Sequence, residues 1–209
     1  MKAYFGYFVV IFVFVCHASA DDETVDCTKP PRFVPPHMCC PVPDVSTDEL
    51  KEQCAEYNKP PPPPPMGRGG PPKFDRRHHP HHTPPCVIDC IFNNTEVMGA
   101  NGEPDVDKFS ALLDTAVKDN EEMAAVMEES FETCVGMLSE LKAKMAEKAS
   151  KHPEFADRMG NCSPVSGMLM MCVNIETFKN CPASAWNDST ECNATRNFFK
   201  QCKFPKDGN

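Results

Sequence analysis

The sequence predicts an all-α, disulfide-linked domain, on three observations. Apolar residues recur at helical spacing through the second half of the chain, and no run alternates apolar with polar residues as a half-buried strand would. Thirteen cysteines are spread through 209 residues. An apolar leader marks the chain for export: Lys2 gives a positive start, Tyr4 to Val15 is almost unbroken apolar sequence, and Ala18-Ser19-Ala20 is a small-residue cleavage site. Residues 1–20 are therefore expected to leave as a signal peptide, giving one compact helical domain over Asp21 to Asn209. The leader is too short for a comfortable membrane span, and no later stretch is long and apolar enough, so no membrane insertion is expected.

Removal of the leader takes Cys16 with it and turns thirteen cysteines into twelve. An even number in an exported chain argues for six disulfides with no thiol left over, while the count leaves their connectivity open. Adjacent Cys39 and Cys40 must reach different partners, because a ring across one peptide bond is strained. Losing one native bridge typically costs about 2–5 kcal/mol, against a domain stability of about 5–15 kcal/mol. Lys2 also leaves, so the net charge moves from −9 to −10. That acidity disfavours nucleic acid and anionic membranes as partners.

Taken in order, Asp21 to Pro43 is a proline-rich arm carrying Cys27, Cys39 and Cys40. Ser46-Thr47-Asp48-Glu49 reads as a capping box with Ser46 as the acceptor. It opens a helix through Leu50, Cys54 and Tyr57 that ends near Asn58. Residues 59–85 differ in kind: prolines fill Pro60 to Pro65, and His78, His79, His81 and His82 follow two arginines. Such a composition cannot bury a core and reads as a disordered insertion in a surface connection. The sharper readings of this tract are a loose histidine metal site or a proline-rich docking segment. Neither a metal nor any other cofactor is assigned to the domain.

Pro84 and Pro85 precede Cys86-Val87-Ile88-Asp89-Cys90, where a helix start tolerates proline. Cysteines four apart lie one turn apart on one helix face, so each is free to bridge a different neighbouring segment. With Ile91 and Phe92, this helix is expected to be the central rivet of the domain. Gly99 to Glu103 reads as a turn, and Asp105 caps a helix with the stripe Val106, Phe109, Leu112, Leu113, Ala116 and Val117. Glu121 and Glu122 open the longest helix, whose inner face runs from Met123, Ala124 and Met127 through Phe131, Cys134 and Val135 to Leu138, Leu141 and Met145. Pro153 and Gly160 bound a short helical segment. Cys162 and Pro164 precede a nearly all-apolar helix that ends at Cys181-Pro182, and a last short helix runs from Arg196 to Cys202.

Read as a string, Cys54 is followed after 31 residues by Cys86, then three to Cys90, 43 to Cys134, 27 to Cys162, nine to Cys172, eight to Cys181 and ten to Cys192. With Cys181-Pro182, this spacing resembles the Plus-C group of insect odorant-binding proteins, of the kind found in mosquitoes. The resemblance implies three interlocked bridges: Cys54–Cys90, Cys86–Cys172 and Cys162–Cys181, with Cys134 competing with Cys162 for the last. Cys27, Cys39, Cys40, Cys192, Cys202 and the remaining member of that pair would supply the other three. It also implies a soluble carrier of small hydrophobic molecules, with a chemosensory receptor or a second copy of the chain as further partners.

The residues allow that function independently. Methionines are frequent on the helices, and their flexible thioethers can line a cavity that accepts several shapes. Phe109, Leu113, Met127, Phe131, Met168, Met171 and Phe178 are the expected lining residues, the alternative being that they simply fill the core. The other reading is an extracellular protein-binding module that uses the proline-rich tract or the N-terminal arm. An enzyme is not expected: outside the histidine tract the mature chain keeps only His37 and His152, and no metalloprotease helix or nucleophile elbow is present. Export would expose four sequons, at Asn93, Asn161, Asn187 and Asn193. Asn187 and Asn193 are the expected glycosylation acceptors.

Overall fold

A computed structural model of the chain describes residues 25–32, 34–58, 83–151 and 162–202. Among these residues eight α-helices follow one another: α1 (Pro36–Cys39), α2 (Asp48–Gln53), α3 (Pro85–Asn94), α4 (Val106–Ala116), α5 (Glu121–Gly136), α6 (Leu138–Lys151), α7 (Pro164–Lys179) and α8 (Thr190–Gln201). A 3-10 turn over Ala55–Tyr57 extends α2. No strand forms among the described residues, and Met98 and Pro104 make one isolated bridge. The all-α prediction holds. The leader, the proline and histidine tract through His82 and the Pro153–Gly160 segment lie outside the described residues. Thr83, Pro84 and Pro85 belong to the folded body, since Thr83 donates to Asp44 at 3.2 Å and Pro85 is the first residue of α3.

Short polar side chains set most helix starts, as accepting from an orphan N–H should. Asp105 accepts from the Lys108 N–H at 3.1 Å, as the sequence predicts. At α2 the cap is Thr47, which accepts from Leu50. The hydroxyl expected to cap there, on Ser46, instead donates to Asp44. Asn120 caps α5 through the Met123 N–H, and Ser163 caps α7 through Val165. Ser189 caps α8 through Cys192, so that helix begins at Thr190, well before the expected Arg196.

The long helix expected from Glu121 past Met145 is two helices. The chain breaks at Met137 (φ −94°, ψ 0°), directly after Gly136, a residue with poor helix propensity. Leu138 stays buried across the break, so the apolar stripe that suggested one helix is shared by two.

The hub is α7, not the Cys86–Cys90 helix. It packs against α3, α5, α6 and α8, whereas α3 packs on α7, α2 and the 3-10 turn. Its inner stripe, Ser166, Leu169, Met170, Val173 and Thr177, is buried. Gly167 permits the close approach of α3: a Cβ there would lie 2.8 Å from the Pro85 Cβ.

Six bridges close the fold. Cys54–Cys90 is as the family resemblance implied. The other two implied pairings are replaced by Cys86–Cys162 and Cys134–Cys172, and Cys181 pairs with Cys40. The cause is the way α7 is held. Asp89, buried on α3, accepts from the Ser163 N–H at 2.8 Å and the Ser166 hydroxyl at 2.7 Å. This fixes the N-terminus of α7 beside α3, where Cys162 meets Cys86, one turn from Asp89. Cys172, two turns further along α7, faces α5 and meets Cys134 instead. The remaining bridges, Cys40–Cys181, Cys39–Cys192 and Cys27–Cys202, are nested. They lace the N-terminal arm antiparallel to the C-terminal segment, helped by Asn187, whose backbone N–H donates to the Cys39 carbonyl at 2.8 Å. Adjacent Cys39 and Cys40 thus reach different partners, as do Cys86 and Cys90.

Candidate functional site

Apolar stripes of α3, α4, α5 and α7 meet in one buried cluster. Its centre is aromatic. Phe109 on α4 and Phe131 on α5 stack with centroids 4.0 Å apart and planes within 8°. Phe92 on α3 meets both rings edge-on, at 6.2 and 6.5 Å. Such pairs add about 0.5–1.5 kcal/mol each beyond the area they bury. Leu113 lies one turn along α4 from Phe109, and Met127 one turn before Phe131 on α5. All four of these expected lining residues are buried together. Met123 and Val173 are fully buried in the same cluster.

The other three expected lining residues go elsewhere. Met168 is half-buried. Met171 is 58% exposed, on the side of α7 opposite the buried stripe. The all-round apolar character of this helix gave both methionines equal claim to the interior, and the α7 caps and bridges choose the other face. Phe178 is buried, but it packs edge-on against Trp186 and Phe199 at 5.5 and 5.6 Å, forming a second aromatic group near α8. There Trp186 donates to Asn193 at 3.0 Å, and the Arg196 guanidinium lies 3.7 Å from the indole centroid. Burial pushes the Arg196 pKa below its ordinary value.

Both expected glycosylation acceptors use their amides in the fold: Asn187 donates to the Met38 carbonyl at 3.0 Å, and Asn193 to Asp188 at 2.7 Å. An open groove of about 340 Å³ lies between the N-terminal arm and the start of α8. Arg32, Val34, Pro35 and Met38 line one side, Asn187, Ser189 and Glu191 the other. Among the described residues no cluster of histidine, cysteine and carboxylate side chains is arranged to hold a metal. The histidine tract lies outside them. No described helix is long and apolar enough to cross a membrane.

Sequence reasoning missed two features of the core. The first is Asp89, which sits inside an apolar run and gains its role only when a distant helix start arrives. The second is Thr177, fully buried on α7, whose hydroxyl has no hydrogen-bond partner among the described residues. Its only sequence signal is a hydroxyl on the largely apolar stripe that also carries Leu169 and Val173.

The fold and its core define a disulfide-braced helical domain organised around an apolar centre. Within that class the chain belongs to the AgamOBP47-like family, whose model matches residues 78–198. It is 25% identical to Odorant-binding protein 47 of Anopheles gambiae over 120 residues, 57% of this chain and 52% of that protein. This chain thus spans about half the length of that relative. It is 21% identical to General odorant-binding protein 68 of the same mosquito over 165 residues, 78% of this chain and 68% of that one. These matches agree with the resemblance to mosquito odorant-binding proteins carried by the cysteine string.

Proposed function

We propose that this chain is a secreted carrier that holds a small hydrophobic molecule, an odorant or pheromone, within its helical core and transports it through aqueous lymph. Membership of an odorant-binding family is the observation that carries this reading. The core supports it physically. Disulfides hold the helices at fixed positions, while Met123 and Met127 between them are unbranched and can change rotamer to admit a guest. Binding then gains from burial of apolar ligand surface, at about 25 cal/mol per Å² before the costs of association. Export rests on the leader over residues 1–20, with the domain running from 21 to 209 and the tract over residues 59–82 as an insertion on it. The matched relatives are named as odorant-binding proteins, and an enzymatic activity forms no part of the proposal.

The test is displacement of a fluorescent apolar probe from the fully oxidised mature protein. Saturable binding at micromolar or tighter affinity, displaced by small volatiles, is the expected result. A correctly folded helical protein that binds no probe would refute the carrier reading.

One observation favours a second use of the same chain, the docking of a protein partner on the N-terminal arm. Met38 is 58% exposed beside the groove described above. If the arm docks a partner, substitution of Met38 would abolish partner capture and leave probe binding intact.

A further inference from the structure

Four hydroxyls on or at the ends of the described helices satisfy themselves in one of two ways. Thr95, Ser130 and Thr195 donate to the carbonyl one turn back, at 2.8, 2.7 and 2.8 Å. Ser166 donates to the carboxylate of Asp89. Thr177 does neither. Its residue is 0% exposed, and its Oγ1 has no hydrogen-bond partner, although the Val173 carbonyl occupies the usual place one turn back. Buried hydroxyls in native proteins are nearly always paired, so one that forgoes the local bond calls for a specific explanation.

Its neighbourhood suggests one. The Cys134–Cys172 bridge and the hydrogen bond from Ser184 to Glu122 fix α5 and the α7 segment as antiparallel neighbours. That register sets the Thr177 turn of α7 opposite the turn of α5 that carries Met127 and Ser130. Both are buried, and the Ser130 hydroxyl is already committed to Val126. Thr177 is thus an uncommitted polar group in the α5–α7 seam, where Val173, Met127 and Met123, side chains with no strong hydrogen-bonding group, are also buried.

We infer that Thr177 is the polar anchor of the ligand site, selecting small apolar molecules that carry one oxygen function, such as an alcohol, aldehyde, ketone or ester. This inference rests on the carrier reading and deepens it. A hydroxyl both donates and accepts, so it serves an alcohol as acceptor or donor and a carbonyl as donor. The apolar remainder of the guest would lie along the methionine seam, where contacts are adaptable. Shape selection there is weak, and the single hydrogen bond does the discriminating, because only an oxygen-bearing guest pairs the buried hydroxyl.

The experiment compares decanol with n-decane as displacers of a fluorescent apolar probe. The proteins are the full oxidised parent chain, Thr177→Val and Thr177→Ser. Thr177→Val should weaken decanol by roughly fivefold to tenfold, the size of one hydrogen bond, while n-decane stays within about twofold. Thr177→Ser, which restores the hydroxyl, should recover most of the decanol affinity. A urea midpoint for Thr177→Val at or above the parent value would show that weaker decanol binding is not loss of fold. If the parent binds both compounds and Thr177→Val leaves their ratio unchanged, the anchor is refuted and the carrier reading stands. If the folded parent binds neither compound nor the probe, both fall.

Discussion

Replacing Asp89 by alanine removes the group that joins α3 to α7, and the structure sets the size of the effect. The carboxylate accepts two hydrogen bonds, from the Ser163 N–H and the Ser166 hydroxyl. Bonds to a charged group contribute about 1.5–3 kcal/mol each. Ser163 is exposed and water can replace most of its share, whereas Ser166 is 0% exposed and would be left unpaired. A negative charge at the first turn of a helix adds about 0.3–1 kcal/mol. The expected loss for Asp89→Ala is therefore about 3 kcal/mol, or about 6–12 °C in Tm for a domain of this size. Urea unfolding with all disulfides intact reads it as a lowered midpoint with unchanged slope. Asp89→Asn keeps one acceptor oxygen and turns an amide donor towards the other bond, so it should lose roughly half as much. An Asp89→Ala protein within about 0.5 kcal/mol of the parent would refute the claim that this carboxylate holds the α3–α7 junction.

Four further outcomes are expected. Gly167→Ala should destabilise by about 1–3 kcal/mol, because its Cβ must displace Pro85; thermal melts check it. Phe131→Ala should cost about 3–5 kcal/mol by opening a cavity between Phe92 and Phe109, measured as a urea midpoint. Peptide mapping under non-reducing conditions should recover Cys134 joined to Cys172 and Cys40 joined to Cys181, and recovery of Cys86 joined to Cys172 would contradict the packing of α7 on α5. Burial raises the Asp44 pKa, but hydrogen bonds from the Ser46 hydroxyl and N–H and from Lys51 outweigh it, leaving the folded value below the ordinary 3.8. A depressed carboxyl stabilises the fold above its unfolded pKa and loses that contribution as pH falls through the folded one. The Tm advantage of the parent over Asp44→Asn should thus be full at neutral pH and shrink only in acid below 3.8.

What the sequence revealed of this fold follows a physical division. Local signals were legible: the Asp105 cap, the proline start of α3 and the helical stripe of α4 each depend on residues within a turn or two of one another. The break at Met137 was hidden because Cys134, Leu138 and Leu141 keep one apolar phase across it. The start of α8 at Ser189 was missed because the residues after it are mostly polar and give no stripe. Long-range choices were not legible. Cys172 could face α3 or α5 until the start of α7 was fixed, and Asp89, which fixes it, looks in the sequence like a polar interruption of an apolar run. The candidate site divides in the same way. Phe109, Leu113, Met127 and Phe131 lie on helices with one clear apolar face and converge, while Met168 and Met171 belong to a helix whose composition does not say which side is inner.

The nested lacing of the N-terminal arm to the C-terminal segment has a consequence for proteolysis. Every cysteine between residues 25 and 59, namely Cys27, Cys39, Cys40 and Cys54, is bonded to one after residue 82. A cut anywhere between those two positions divides the backbone but not the molecule: both fragments stay joined through all four bridges. The proline and histidine tract can therefore be nicked, or vary widely in length, without releasing any part of the helical body, and such a cut would be visible only on a reducing gel.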